Sequence, residues 1–205
     1  MKFIFTSQRI DRIEGYNEIR DSLDERWGTL LLECGFNILP VPNNKDILLK
    51  MMKHIEASGV LLTGGSNLFK YGGVWKNRDE VDRVLLDFAI ENKLPLLGVC
   101  RGMQSIVDYF GGTLREIKSH VSIRHKTQGQ INRNVNSYHG MAIDMLPPFL
   151  EPIALSLDGC VEAIKHREHK ILGIMWHPER ENPYSNEDIK LIKNFFDRGM
   201  LKWKL

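Results

Sequence analysis

The sequence predicts an α/β fold with a mainly parallel central sheet and flanking helices, and three observations support this. Short apolar runs alternate with amphipathic helical runs through the first half of the chain, which favours parallel strands covered by helices on both faces. An apolar content of 42% in 205 residues is enough for one core. No linker, repeat or low-complexity stretch interrupts the sequence, so we expect a single domain over residues 1–205.

Each element of the first half follows from its residue pattern. Ser22-x-x-Glu25 has the form of a capping box and predicts a helix that ends near Cys34-Gly35. The segment 79–92 has apolar side chains at helical spacing. The side chains that we expect it to bury are Val81, Leu85, Phe88 and Ala89. The other predicted elements are strands at 2–6, 37–41 and 59–63 and a helix at 46–57.

The second half begins with an apolar strand at 94–99, which is followed at once by helix-forming residues at 103–110. Residues 114–136 are polar and irregular and favour short strands and loops. Three later runs predict short strands that we expect to be antiparallel. They are residues 153–157, 161–165 and 171–175. A closing helix at 186–198 would turn Ile189, Ile192, Phe195 and Phe196 towards the core.

The strongest chemical signal is Cys100, which lies where the strand at 94–99 turns into a helix. Gly98 and Gly102 flank it at two residues on either side, which is the nucleophile-elbow pattern with Cys in place of Ser. A Cβ at either flanking position would collide with a neighbouring element. The positive end of the helix dipole favours a thiolate at this position. Cys100 is therefore the predicted nucleophile.

A second motif supplies a base for that nucleophile. The run Trp176-His177-Pro178-Glu179 follows the predicted strand 171–175, and His177 and Glu179 share a face of an extended segment. A nucleophile needs a base, and the base needs an acceptor that fixes its tautomer and stabilises the imidazolium. Cys100, His177 and Glu179 are therefore predicted to form a catalytic triad.

The two motifs, G-x-C-x-G and W-H-P-E, resemble the class I glutamine amidotransferase-like superfamily, and in particular its stand-alone γ-glutamyl hydrolases. The likeness extends over nearly the whole chain. It implies a flavodoxin-like α/β fold, a Cys-His-Glu triad and release of glutamate from a γ-glutamyl–nitrogen bond through a γ-glutamyl thioester. The chain looks most like the subgroup that hydrolyses γ-glutamyl-CDP-amidate in bacterial capsule phosphoramidate synthesis, which would leave cytidine diphosphoramidate.

An oxyanion hole is the next requirement of acyl transfer. Elbow geometry assigns one donor to the amide of Arg101, directly after the nucleophile. We expect the second donor from the Gly64-Gly65 pair at the end of the strand 59–63, where no side chain blocks the approach of substrate; the alternative is that residues 63–66 are only a flexible turn. By resemblance, Gly65 is the better choice.

Four further residues are predicted to contact the substrate. The resemblance assigns Gln104 to the α-amino or α-carboxylate end of the glutamyl group, and Ser137 and Tyr138 to a loop that holds this group by main-chain contacts. Arg9 lies in a predicted loop at 7–12, near the carboxyl ends of the strands, where a guanidinium suits an anionic leaving group. Many relatives have His and then Gln where this chain has Gly140 and Met141, so acceptor specificity does not transfer directly.

The remaining composition points to a cytoplasmic enzyme without a metal or other cofactor. The net charge of +2 calls for neither nucleic acid nor an anionic membrane, and no run is long and apolar enough for a signal peptide or a span. Cys34 and Cys160 are predicted to pack in the structure, and the cysteine spacing suits a reducing compartment. His120 and His125 are predicted to lie in a solvated loop, and the alternative is that they face a phosphate-bearing substrate. His139 is predicted to be structural, and His166 and His169 to lie in a surface turn. Residues 202–204 are predicted to form a basic tail or a helix end.

Three other functions stay open at this point. The chain could hydrolyse γ-glutamyl-γ-aminobutyrate or a related amine. It could be the glutaminase subunit of a separate synthetase, with a small molecule as substrate and that synthetase as partner. A non-enzyme alternative is a flavodoxin-like redox sensor that keeps a reactive Cys100, which would not need Glu179.

Overall fold

A computed structural model of the chain describes residues 1–199, so the predicted basic end at 202–204 lies outside the described residues. It contains thirteen strands and five α-helices within that range. The strands are β1 (Phe3–Thr6), β2 (Arg9–Ile13), β3 (Glu18–Ser22), β4 (Asn37–Pro40), β5 (Gly59–Leu62), β6 (Leu96–Val99), β7 (Thr113–Glu116), β8 (Val121–Gly129), β9 (Asn134–Tyr138), β10 (Met141–Met145), β11 (Leu150–Ser156), β12 (Val161–His166) and β13 (Ile171–Ile174). The helices are α1 (Arg26–Glu33), α2 (Lys45–Met52), α3 (Lys76–Glu91), α4 (Arg101–Tyr109) and α5 (Asn186–Arg198).

Nine strands form one sheet in the order β4-β1-β5-β6-β13-β12-β11-β8-β9. The first five run parallel, and β12, β11, β8 and β9 follow in antiparallel register. The central strands β5, β6 and β13 are buried along their whole length, as expected for parallel strands covered on both faces. The predicted parallel α/β sheet is confirmed.

The strand β13 corrects one prediction, because it was expected to be antiparallel like its neighbours in sequence. It pairs antiparallel with β12 but parallel with β6, with Ile174 opposite Val99. This position joins the parallel and antiparallel halves of the sheet. It also brings the segment that follows β13 beside the segment that follows β6, which is how the two predicted catalytic motifs meet.

The region after β1 also differs from the prediction. The expected loop at 7–12 is part of a hairpin in which β2 and β3 pair, with Arg9 opposite Ser22. Ser22 is therefore held in a strand and does not cap α1. Glu25 occupies the N-cap position without a side-chain hydrogen bond, and Asp24 accepts the Arg26 amide instead. The predicted capping box is wrong because strand pairing takes its first residue.

The helices follow their predictions with shifts at the ends. Helix α2 ends at Met52 rather than near 57, because the chain must extend so that the Ser58 amide can reach the carbonyl of Phe3 beside the sheet. Helix α4 begins at Arg101, two residues earlier than predicted, and α5 has the predicted bounds. The region 114–136 forms strands and loops as expected, although β8 is nine residues long.

Three histidine predictions are wrong because the fold places the side chains largely away from solvent. His125, expected in a solvated loop, lies on β8 with its side chain 13% exposed. His120 is 2% exposed, although it was expected in a solvated loop. His166, expected in a surface turn, is also buried and packs against the ring of Phe110. Within residues 1–199, no helix has the combination of length and apolar character that crossing a membrane requires.

Candidate active site

Cys100 lies at the turn between β6 and α4 with a backbone conformation that side chains rarely adopt. Its φ is +52° and its ψ is −106°, a strained geometry of the kind found at functional sites. A Cβ on Gly98 would come within 2.6 Å of the Gly102 backbone, and one on Gly102 would overlap the carbonyl of Leu62. The structure therefore shows why both flanking residues are glycine, and it has the predicted elbow geometry.

His177 and Glu179 meet Cys100 from the segment that follows β13. His177 Nδ1 lies 2.6 Å from Glu179 Oε1, and both side chains are buried. Burial lowers the pKa of His177, but the charge of Cys100 and a hydrogen bond with it, together with Glu179, raise this pKa to about 9. The three side chains predicted to form a triad are thus brought together, with the imidazole between the sulfur and the carboxylate.

Two residues fix the position of His177, and sequence reasoning assigned neither of them this role. The Asn136 side chain donates to the His177 carbonyl at 2.8 Å and accepts the His177 amide at 2.8 Å. On the opposite side, a Cβ on Gly64 would come within 2.6 Å of His177 Cε1. Both contacts join segments that are distant in sequence, so no local pattern marks them.

The predicted oxyanion donors lie in the loop after β5 and at the first residue of α4. Gly65 has a φ of +138°, which favours glycine, and its amide donates to no backbone acceptor in the described part of the chain. Arg101 is the first residue of α4, where a backbone N–H has no acceptor within the helix. The fully buried Arg78 donates to the carbonyls of Thr63 and Gly64 at 3.0 and 2.7 Å, which holds the loop before the Gly65 amide.

The side chain of Arg101 has a structural task. It is buried and forms ion pairs with Asp79 and Asp82 of α3, while Ser105 also donates to Asp82 at 2.8 Å. The pairs fasten the start of α4 to the neighbouring helix. The residue after Cys100 therefore anchors the elbow through its side chain.

The three residues predicted to contact the glutamyl group differ in their burial and in their partners. Gln104 is buried one turn after Cys100 and donates to the carbonyl of Met141 at 3.2 Å. The Ser137 hydroxyl donates to the His120 carbonyl at 2.6 Å, and Ser137 is fully buried. Tyr138 is 39% exposed and its ring stands edge-on to His177 at 5.7 Å.

A cavity of about 160 Å³ opens beside His177. Arg9, the residue predicted to contact the leaving group, lines this cavity. Gly64, Gly65 and Glu179 line the same cavity, so it adjoins the histidine and the carboxylate of the predicted triad, whereas Cys100 is not among its lining residues. Arg180 also lines it and lies with its guanidinium 4.5 Å from the centre of the Tyr138 ring. Sequence reasoning missed Arg180, although it directly follows the W-H-P-E motif.

The buried histidines other than His177 lie on or beside β8, β9 and β12. His120 and His125 approach the carboxylate of Glu162, and His120 also approaches Asp158 and Cys160. These are two groups within residues 1–199 whose donor atoms lie within 4.8 Å of one another. Neither group includes a triad residue.

Residues 18–198 match the family described as glutamine amidotransferase class-I. The chain belongs to this family. The γ-glutamyl-CDP-amidate hydrolase of Campylobacter jejuni is 35% identical to it over 95% of this chain and 97% of that protein. The glutamine-hydrolysing GMP synthase subunit of Methanococcus vannielii is 32% identical over 74% of this chain and 79% of that protein.

A solved structure described as a GMP synthase subunit from Thermoplasma acidophilum has the class I glutamine amidotransferase fold seen here. The two chains superpose with a TM-score of 0.72 at 21% identity, over 96% of this chain and 93% of that one. At this identity the likeness shows the fold alone. Family membership and the curated relatives support hydrolysis as the general activity of this class I glutamine amidotransferase.

Proposed function

We propose that the protein hydrolyses a γ-glutamyl–nitrogen bond through a γ-glutamyl thioester on Cys100. The observation that carries this proposal is the position of His177, which meets both the elbow cysteine and the Glu179 carboxylate. A buried imidazole between a thiol and a carboxylate is the arrangement that nucleophilic acyl transfer needs. Chemistry on the Cys-His-Glu triad requires no metal or other cofactor.

The reaction begins with the Cys100 thiolate and the His177 imidazolium as an ion pair. The sulfur attacks the γ-carbonyl carbon, and the amides of Gly65 and Arg101 stabilise the oxyanion. As the intermediate collapses, the carbon–nitrogen bond breaks and the imidazolium gives its proton to the leaving nitrogen. His177 then takes a proton from water, hydroxide attacks the thioester, and glutamate leaves as the thiolate and imidazolium are restored. Glu179 holds the imidazole in one tautomer throughout.

We propose γ-glutamyl-CDP-amidate as the substrate, which would yield cytidine diphosphoramidate for capsule polysaccharide modification. The Campylobacter jejuni relative carries this substrate in its name and is alike over nearly the whole length of both chains. The cavity beside His177 supports this choice, because it is lined by Arg180 and by Arg9, whose guanidinium pairs with Asp11 at 2.9 Å. Guanidinium groups suit the oxygens of a diphosphate. We further propose a cytoplasmic location, which suits three free cysteines.

One specific observation favours a second function. Relatives that are named as subunits of a glutamine-hydrolysing GMP synthase cover most of this chain, and a glutaminase of that kind would supply ammonia from glutamine to a separate synthetase. In that case the triad chemistry would be the same, with free glutamine as the substrate. The isolated chain would then have low activity that rises strongly when the partner is present.

The substrate is tested by glutamate release from γ-glutamyl-CDP-amidate, γ-glutamyl-γ-aminobutyrate and glutamine, with Cys100→Ala as the inactive control. We expect Cys100-dependent turnover that strongly prefers the nucleotide. Arg180→Met should raise the KM for the nucleotide by about 10-fold or more, since a hydrogen bond to a charged group contributes about 1.5–3 kcal/mol. The matched variant Arg83→Met removes an exposed arginine of α3 and should leave the KM unchanged for each of the three substrates.

One result would reject this substrate, and a second would reject the proposed role of Arg180. Preference for the γ-aminobutyrate compound or for glutamine would keep the thioester mechanism and discard the nucleotide. An equal loss for nucleotide and glutamine in Arg180→Met would show that Arg180 positions Glu179, which it approaches at 3.7 Å, and does not bind the leaving group.

A further inference from the structure

Three histidines surround one buried carboxylate in the antiparallel half of the sheet. His120 precedes β8, His125 lies on β8, His139 follows β9, and Glu162 lies on β12. We refer to these four residues as the histidine–glutamate cluster. Glu162 is fully buried, His120 and His139 are each 2% exposed, and the His125 side chain is 13% exposed. The cluster is therefore almost closed to solvent.

The outer nitrogens of two of these histidines are already occupied. His139 Nδ1 lies 3.0 Å from the carbonyl of Met141, which can only accept a hydrogen bond, so Nδ1 carries the proton. His120 Nε2 lies 2.9 Å from the Asp158 carboxylate and donates to it in the same way. When both rings are neutral, the inner nitrogens, His120 Nδ1 and His139 Nε2, present lone pairs to the interior of the cluster; the alternative is a proton shared between these two atoms, which lie 3.1 Å apart. Metal-binding histidines are commonly held in this way by a carboxylate and a carbonyl.

The inner atoms form a nearly regular triangle. His120 Nδ1 and His139 Nε2 are 3.1 Å apart, and they lie 3.3 and 3.4 Å from Glu162 Oε1. The other carboxylate oxygen, Oε2, lies 3.4 Å from His125 Nε2. A tetrahedral site with metal–ligand bonds of about 2.0–2.1 Å has edges of about 3.3–3.4 Å between ligand atoms. The three atoms His120 Nδ1, His139 Nε2 and Glu162 Oε1 therefore have the spacing of one face of such a site.

The electrostatics of the histidine–glutamate cluster also favours a bound cation. Neither oxygen of the Glu162 carboxylate, nor His125 Nε2, has a hydrogen-bond partner within residues 1–199. An unpaired buried carboxylate is costly, and lone pairs that converge at 3.1–3.4 Å repel one another. A cation at the centre removes both costs.

We propose that the histidine–glutamate cluster binds one divalent transition-metal ion, with Zn²⁺ as the ion that its donor set favours. Imidazole nitrogens and a carboxylate oxygen are ligands that Zn²⁺ accepts in four-coordinate sites. His120, His139 and Glu162 form one face of the tetrahedron, and we assign the fourth position to His125, whose Nε2 lies 3.4 Å from the other Glu162 oxygen. The site is independent of the proposed hydrolysis, and it departs from the sequence-based expectation of a protein without metal.

The site would stabilise the segment that carries the predicted glutamyl contacts. Ser137 donates to the carbonyl of His120, and the Met141 carbonyl that orients His139 also accepts from Gln104 at 3.2 Å. A metal that joins β8, β9 and β12 would therefore hold Ser137 and Gln104 in place. It would be a structural ion, because it lies outside the triad.

The proposal is tested by measuring the metal content of the purified protein with its affinity tag removed, before and after incubation with Zn²⁺ and gel filtration. We expect about one equivalent of zinc per chain in the wild type. Glu162→Gln and His139→Gln should each lose it, while His54→Gln, which removes an exposed histidine at the end of α2, should retain it. Cys100→Ala should also retain it, which separates this site from the predicted nucleophile.

A second readout uses the wild-type protein and does not depend on the folding of a variant. The apoprotein should bind one Co²⁺ with the intense visible absorption of a tetrahedral site, and a chelator should lower the Tm of the wild type by several degrees. A folded wild type that takes up neither Zn²⁺ nor Co²⁺ would overturn the proposal and leave a shared proton as the cation. Equal metal content in wild type and Glu162→Gln would overturn it as well.

Discussion

Replacing Gly64 with alanine tests whether the loop after β5 sets the position of the catalytic imidazole. The new Cβ would lie 2.6 Å from His177 Cε1. Carbon atoms in contact prefer a separation of about 3.5–4.0 Å. Gly64 does not have a positive φ, so alanine fits the backbone and the collision with the ring is the main effect.

The size of the effect follows from the distance. To restore contact at about 3.5 Å, the ring must move by about 0.9 Å, away from its position between Cys100 and Glu179. A misplacement of about 1 Å costs about 100-fold in rate, which corresponds to about 2.7 kcal/mol of activation free energy. We therefore expect Gly64→Ala to lower kcat about 100-fold and to change the Tm little, because the ring borders a cavity.

The assay is glutamate release at saturating γ-glutamyl-CDP-amidate, with the Tm measured in parallel. Gly140→Ala is the matched control, since its Cβ would meet nothing within 4 Å, and it should keep wild-type kcat. A Gly64→Ala enzyme with kcat within about threefold of the wild type would refute the reasoning, because the imidazole would then tolerate displacement.

Other buried contacts lead to three more expected outcomes. The raised pKa of His177, about 9, means that the imidazolium is lost as pH rises through that value, so kcat/KM should fall above about pH 9. Glu179→Gln removes one cause of the raised pKa of His177, so the fall of kcat/KM should move to lower pH. If the fall stays at the same pH, it does not come from His177. Asp82→Ala leaves Arg101 short of one partner and should cost about 3–5 kcal/mol of unfolding free energy, measured with urea; a loss under about 1 kcal/mol would contradict it. Asn136→Ala should lower kcat with little change in KM, because it releases the His177 backbone, and an effect on KM alone would instead place Asn136 against the substrate.

The parts of the site that could be predicted from sequence are local. The glycines around Cys100 and the short spacing from His177 to Glu179 record constraints between near neighbours, and both motifs have the predicted geometry. The parallel sheet could be predicted for the same reason, since each strand and helix is a continuous run of residues. The position of β13 could not, because its pairing with β6 joins residues that are far apart in sequence.

The parts that could not be predicted depend on contacts across the fold. Arg78 stands in the charged first turn of α3, and nothing in the sequence shows that it reaches back to the carbonyls of Thr63 and Gly64. The buried surroundings of His120 have the same origin, because its neighbours come from three strands. The polar segment around His120 therefore indicates a solvated loop when only the sequence is considered, although the fold buries His120.

The central claim is that Cys100 carries a γ-glutamyl thioester during turnover. The most direct measurement is an acid quench during steady-state hydrolysis, followed by mass spectrometry of the peptide that contains Cys100. We predict a mass increase of one glutamyl group on Cys100, formed and lost fast enough to account for turnover, and its absence in Cys100→Ala. Turnover by Cys100→Ala, or wild-type turnover without this adduct in a quench series that resolves a single turnover, would contradict the account.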